Sequence, residues 1–482
     1  MYFFSRCDMD MANHHHNGSA RHRWLALYGP VAGLAVVSFG LYRLNFRLYR
    51  LVPGIGVNTG IHSYVILFLL LGLLYLLGVW VVLKIGVTAA GTGGLVGIIL
   101  VAAVAFRVCL VPLEPNVLSK DMYRYIWDGR LQQQGINPYR YPPAAEELKS
   151  LRDDRIYPNI NRKNQATIYP AGAQVAFRIF YELAGDRVAG HKAMMVFFDV
   201  LTLLLLTALL RAYGFAPARV IVYAWNPLVI FEIAYSGHLE GFTVFLVTAA
   251  FYLNARNRKL PAVILLALAS AVKLYPALLL AALLNRGDRI KGLLTFGAAF
   301  ALLYVPYVSA GRRLIGFLPV YLKNPYESFN LGIKYLLMHL SPDLDYYRLS
   351  QLMLLVLLAA GLAVYFKNKK DVQFIRNAYI LTGLLLVLMP AALHPWYVIL
   401  IIPFLTFYPA AGWLVFSCAV TLSYLKYVSP SGIMPPWVLA AEYLPLFALL
   451  AGGYILHQRT GAGWVAGIAV NRKRRPPAGG TK

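Results

Sequence analysis

The chain has 482 residues, 59% of them hydrophobic, and a mean hydropathy of +0.59, which excludes a soluble multidomain protein and predicts a polytopic membrane protein. A formal charge of +25 would point to nucleic acid in a soluble protein, but here Lys and Arg gather in short loops and the C-terminal tail, as the positive-inside rule requires, so no nucleic-acid partner is predicted. Cys7, Cys109 and Cys418 are too few and too scattered for a disulfide framework or a zinc site.

Residues 1–23 read as a polar cytoplasmic leader in which His14, His15 and His16 are at most weak metal ligands, with no cleavable signal peptide. Unbroken apolar runs such as 67–77 and 352–362 predict helices rather than barrel strands. Spans are predicted near 24–42, 64–83, 90–112, 190–210, 218–235, 239–254, 292–310, 349–366, 377–393, 396–409, 411–426 and 437–456. The segment 261–284 has basic residues on both flanks (Arg256, Arg258 and Lys259; Arg286, Arg289 and Lys291), and a single crossing would invert every later loop. A hairpin of two short helices turning at Lys273-Leu-Tyr-Pro276 resolves the conflict, since proline breaks the helix there.

The expected fold is therefore an all-α transmembrane bundle of about fourteen crossings, both termini cytoplasmic, in the plasma membrane. It divides into N-terminal spans (24–112), one large extracytoplasmic loop with short amphipathic helices (113–188), a helical core (189–456) and a basic tail (457–482). Orientation rests on Arg256, Arg258 and Lys259, on Lys367, Lys369, Lys370 and Arg376, and on Arg472 to Arg475, all placed inside.

The large loop holds nine of the twenty Asp and Glu residues. It opens on Ser119-Lys-Asp121-Met-Tyr-Arg124-Tyr125-Ile-Trp-Asp128-Gly, and at about 100° per residue Asp121, Arg124, Tyr125 and Asp128 share one helix face. Its prolines and aromatics (Tyr139, Tyr141, Pro142, Pro143, Tyr157, Pro158, Tyr169 and Pro170) predict an ordered layer. Asn137-Pro-Tyr139 and Tyr169-Pro170 read as rigid turns whose rings either stack on sugar faces or pack on the membrane surface.

Ionisable groups in spans call for a partner or a function. Lys273, at the outer tip of the hairpin, either snorkels to headgroups or stabilises a departing phosphate. Ser236-Gly-His238-Leu-Glu240 puts an imidazole and a carboxylate at a helix start, and His394-Pro-Trp-Tyr397 opens another span on the same side. Glu232 lies near the outer end of its span, and Asp199, mid-span, reads as an interhelical partner. A phosphate-binding Walker loop, a dinucleotide fingerprint and a zinc-protease motif are all absent from the sequence.

The ordered set Asp121 to Gly129, Gly135-Ile-Asn-Pro-Tyr139, Tyr169-Pro170, Ser236 to Glu240, Val272-Lys-Leu-Tyr-Pro276 and His394 to Tyr397 resembles the GT-C integral membrane glycosyltransferases, in particular the bacterial polyprenyl-phosphate-mannose-dependent mannosyltransferases. The resemblance implies an inverting transfer of a hexose, mannose first among the candidates, from a polyprenyl phosphate to a glycolipid or glycan acceptor on the outer face. It implies Asp121 as general base, with Asp128 as second choice, and Lys273, Arg124 and His394 around the donor phosphate. It also implies His238, Glu240, Tyr125 and Tyr169 at the sugar or acceptor. Magnesium or manganese is compatible with carboxylates near a phosphate, though no cofactor is required. Two alternatives remain at this stage: a ligase or polymerase of lipid-linked glycans, and a transporter or flippase, whose polar groups belong near the membrane midplane.

Overall fold

The computed structural model describes all residues except 1–17, 52–56, 85–92, 115–117, 286, 317, 320–328, 342, 368–372 and 461–482. Cys7, His14 to His16, Arg286, Lys369, Lys370, Arg472 to Arg475 and most of the leader and tail lie outside the described residues. The regular structure of the described residues is all helical, with no strand among them, and the protein is an all-α multi-pass membrane protein.

Among the described residues, five helices are long and apolar enough to cross a membrane: Gly60–Lys84, Val188–Ala212, Tyr346–Lys367, Ala411–Val428 and Pro436–Leu456. A sixth span arises if Arg289–Leu302 and Val305–Ile315, bent by 90°, count as one. Other apolar segments form shorter helices, including Gly93–Val108, Glu240–Ala255, Lys259–Val272 and Phe374–Val387. The fourteen crossings read from hydropathy are thus not fourteen continuous helices. Hydropathy averages composition, whereas continuity depends on single residues. In 218–235, Asn226 caps the next turn through its side-chain oxygen at 3.0 Å from the Leu228 amide, while its amide nitrogen donates to Ser417 at 2.8 Å. Pro227 follows it, and a π-helical turn over Phe231–Tyr235 ends the segment.

Five helices position the site. We number them α1 (Asp121–Gln133), α2 (Ala171–Ala184), α3 (Val188–Ala212), α4 (Glu240–Ala255) and α5 (Lys259–Val272). The loop helices α1 and α2 are packed face to face and are joined by turns that hold each other: the Tyr139 hydroxyl donates to the Tyr169 carbonyl at 2.8 Å. Arg130 anchors the rest of the loop, donating to Asp186 at 2.7 Å, to the Leu151 carbonyl at 2.9 Å and to Asp153. Burial works against the Asp153 carboxylate, but Arg130 and the amides of Tyr157 and Ile156 hold it below its ordinary range.

Helix α5 stops at Lys273, whose φ of −138° and ψ of 133° are extended. At its other end the Lys259 amine lies 2.6 Å from Asp288. Residues 259 and 288 are therefore neighbours, and Lys273 is at the far end of the excursion between them. α5 also meets α2 closely: a Cβ on Gly172 would lie 2.8 Å from the Ala271 backbone, so only glycine permits this approach. Deep in the bundle, Arg107 pairs with Asp199 at 2.5 Å, and the Tyr223 hydroxyl donates to the same carboxylate. That pair satisfies two charges inside the membrane, where each alone would be costly.

Candidate active site

Helix α1 begins with Asp121, whose charge also suits a helix N-terminus. One carboxylate oxygen accepts from the Asn161 amide at 2.7 Å, the other lies 3.9 Å from His238 Nδ1, and the side chain keeps 20% exposure. The turn before α4 is held tight by Gly237, at φ +74°, where a Cβ would sit 2.2 Å from the Met122 methyl. This geometry drives the fully buried His238 ring towards α1. Its Nε2 lies 3.3 Å from Glu232, which also accepts from the Tyr424 hydroxyl.

Lys273, with 12% of its side chain exposed, lies 3.1 Å from the buried Glu240 carboxylate. Tyr275 donates to the same oxygen at 3.2 Å. The Lys273 amine lies 5.7 Å from the Tyr169 ring centre and 5.6 Å from that of Tyr397. The charges of Asp121 and Lys273 both act on His394, and that of Asp121 also acts on Tyr169.

The two histidines are shifted in opposite directions. Burial pushes His238 down, yet its bond to Glu232 and the charges of Glu232, Asp121 and Glu240 carry it above its ordinary value. Burial also pushes His394 down; Asp121 opposes that, but His238, Lys273 and Lys426 reinforce it, and His394 falls to about 3. With a value near 3, His394 is neutral near pH 7 without a bound donor, one ring nitrogen donating a hydrogen bond and the other accepting one. Its partly exposed ring stacks on Trp396 at 4.5 Å and on Phe329 at 4.8 Å.

Two of the expected residues stand apart from this cluster. Asp128 is fully enclosed, with Arg124 at 2.8 Å on one oxygen and Gln174 at 2.9 Å on the other. Another Arg124 nitrogen donates to the Gln165 carbonyl at 3.0 Å, and its Nη2 is buried without a hydrogen-bond partner. Both Asp128 oxygens are engaged and Arg124 is paired with it, so the structure holds the two as an enclosed ion pair. Tyr125 is likewise occupied as a stacking surface, because Phe177 lies parallel to it at 4.6 Å and Tyr169 meets it edge-on at 5.1 Å. Its hydroxyl is buried beside the charges of Asp121 and Glu240.

Glu232, Asn161, Trp396, Tyr424 and Lys426 join the site without having been singled out as site residues. Glu232 carries an advance signal, an ionisable residue near the end of a span, and Trp396 lies in the singled-out His394-Pro-Trp-Tyr397; nothing local in the sequence pairs Glu232 with His238. For magnesium or manganese, oxygen ligands must converge. Here the carboxylates are engaged separately: Asp121 by Asn161 and His238, Glu232 by His238 and Tyr424, Glu240 by Lys273 and Tyr275. Among the described residues no three His, Cys, Asp or Glu side chains form a metal-binding group, so the residues do not fit such an ion and no step is derived through one.

Residues 50–285 match the family described as alpha-(1->6)-mannopyranosyltransferase, N-terminal domain. This stretch, just under half of the chain, is similar to that mannosyltransferase domain. It contains Asp121, Tyr169, Glu232, His238, Glu240 and Lys273, that is, the whole cluster except the residues that 394–426 contribute. Residues 215–422 also match the family described as GPI transamidase subunit PIG-U. Alpha-(1->6)-mannopyranosyltransferase A of Mycobacterium tuberculosis is 30% identical over 167 residues, 33% of this chain and 31% of that protein. The chain thus matches the curated relative over about a third of that relative's length. No solved structure matches this chain.

Proposed function

We propose that this protein transfers a hexose, mannose first among the candidates, from a polyprenyl phosphate to a hydroxyl of a glycolipid or glycan acceptor, with inversion at the anomeric carbon. Asp121 is the general base: it takes the acceptor proton as the hydroxyl oxygen bonds to the anomeric carbon and the bond to phosphate breaks. The polyprenyl phosphate leaves as an anion beside Lys273, with neutral His394 as a hydrogen-bond partner. His238 and Glu240 shape the sugar side, and Tyr169 forms its wall. We place the cluster on the outer side of the plasma membrane and both termini in the cytoplasm, from the distribution of basic loops.

The observation that supports this reading best is a partly exposed carboxylate, Asp121, and a partly exposed ammonium, Lys273, whose charges both reach His394, in a chain whose residues 50–285 match a mannosyltransferase domain. An acid–base pair at one membrane face favours transfer over transport, which needs polar groups at the midplane. The match of residues 215–422 to a transamidase subunit favours a second reading, a binding subunit of a larger membrane transferase without turnover of its own.

Full-length protein in proteoliposomes, given polyprenyl phosphate labelled in its mannose and a set of acceptors, tests both. Label should move to an acceptor with loss of donor. Label that stays on an intact donor, bound or translocated, would remove the transfer reading; label moved only as part of a preassembled glycan would replace it with ligation.

A further inference from the structure

His238 is the one imidazole in the described site with a carboxylate at both nitrogens: Asp121 at 3.9 Å from Nδ1 and Glu232 at 3.3 Å from Nε2. A neutral imidazole carries one N–H and one lone pair, and either tautomer would turn that lone pair towards a carboxylate. Only the imidazolium offers N–H to both sides. The ring is fully buried and lies flat on Trp396 at 4.1 Å, an arrangement that favours a cation over an indole face.

Everything that surrounds the ring agrees with a cation there. Glu232 comes from the π-helical turn, Asp121 from α1 and Glu240 from α4. Against these stand neutral His394 beyond Trp396, and Lys192 of α3. The Lys192 stem borders Gly237, but its amine is turned away, donating to the Leu110 and Leu113 carbonyls at 2.8 and 2.6 Å. Tyr424, from the segment Val420–Val428, reaches the ring only through Glu232. Glu232 is fully buried, and its carboxylate is taken up by the imidazole and the Tyr424 hydroxyl.

We propose that Glu232 is a positioning residue that holds His238 as an imidazolium against Asp121, so that the proposed base faces a fixed cation while it takes the acceptor proton. The role in turnover rests on the transfer reading given above; the protonation state does not. As an imidazolium, His238 favours the ionised form of Asp121 before the reaction, and it cannot itself act as a competing base. Loss of that proton at high pH ends this arrangement and sets the alkaline limit of turnover.

Two measurements on full-length protein in lipid nanodiscs test the pair. In protein labelled with 15N-histidine, with the His238 signal assigned by its loss in His238→Gln, the ring should read as imidazolium at pH 7.5, and as neutral imidazole in Glu232→Gln. In the pH dependence of mannose transfer, Glu232→Gln should lower kcat about 10-fold at pH 7.5 with KM for the donor within about twofold, and shift the alkaline limb to lower pH; Glu232→Asp should restore the limb. A neutral His238 in the unmodified protein overturns the proposal, a reading that needs no variant to fold. An alkaline limb unmoved in a folded Glu232→Gln protein overturns it equally. An imidazolium that depends on Glu232 in a protein that transfers no sugar supports the pair and removes the transfer reading instead.

Discussion

His238 and His394 stack on the same indole, that of Trp396, at 4.1 and 4.5 Å, yet their protons are driven in opposite directions. Both rings are desolvated; the difference is that Glu232 touches one and cations surround the other. The consequence for stability follows from linkage. His238, raised above 6.5, stabilises the fold fully below 6.5 and loses that contribution as pH climbs through its raised value. His394, lowered to about 3, binds its proton more readily when unfolded, so its neutral burial costs stability as pH falls from 6.5 towards 3. Thermal unfolding from pH 4 to 9 should show His394→Gln flattening the acid side relative to the unmodified protein, and Glu232→Gln flattening the alkaline side. Parallel curves for all three would break the assignment.

Asp121→Asn removes the proposed base and keeps the volume. The Asn161 amide and His238 remain as neighbours, and the side chain is partly exposed, so folding and insertion should survive. Transfer should fall by about 100-fold or more, the usual scale for loss of a positioned base. Label transfer measured beside the unfolding midpoint separates the two effects, and turnover within a few-fold of normal would remove Asp121 from that role.

Fold class was legible from composition because a bilayer admits few backbone solutions, and an apolar chain of this kind takes the helical one. The number of continuous spans was not, because Asn226 with Pro227, the stop at Lys273 and the 90° bend after Leu302 are local events inside uniformly apolar stretches. In the candidate site, helical spacing placed Asp121 and Asp128 on one face of α1. It could not tell that α2 would cover the second of them: Gln174 and Arg124 close over Asp128, while Asp121, at the helix start, stays open. The turn at Ser236 to Glu240 was visible through its Gly-His-Leu-Glu composition. Its partner Glu232 was not, since only a π-helical turn brings that residue back under His238.

Asp128→Asn distinguishes the enclosed carboxylate from the open one. It leaves the Arg124 guanidinium buried without its counter-ion, and breaking a buried pair in this way costs about 3 kcal/mol. Stability should therefore drop strongly, while turnover per folded molecule falls far less than in Asp121→Asn. The double change Arg124→Met with Asp128→Leu removes both charges and should recover much of the lost midpoint. A loss of turnover per folded molecule equal to that of Asp121→Asn would return Asp128 to the reaction.

Gly172 sets how closely α2 approaches α5, and hence how near Tyr169 lies to Lys273. A methyl group in Gly172→Ala would meet the Ala271 backbone at 2.8 Å, and backbone cannot rotate aside as a side-chain tip can. Overpacking of this kind costs about 1–3 kcal/mol. The expected result is a lower unfolding midpoint together with a raised KM for the polyprenyl donor, because the Tyr169 wall moves away from the Lys273 amine. A midpoint equal to that of the unmodified protein would mean that the two helices are free to separate.

Lys273 and Glu240 combine two effects that a single substitution cannot separate. Lys273→Met removes the proposed phosphate cation and also strands Glu240, which is fully buried and keeps only Tyr275 as a donor. Stability should fall by about 3 kcal/mol, the scale of a buried charge left alone. Glu240→Gln placed on top of it removes the stranded charge, so the unfolding midpoint should recover. Donor use should not recover, since the ammonium is still missing. If the double variant regains both stability and donor KM, Lys273 serves only to neutralise Glu240, and the phosphate must find its positive charge elsewhere, with Lys426 next in line beside His394.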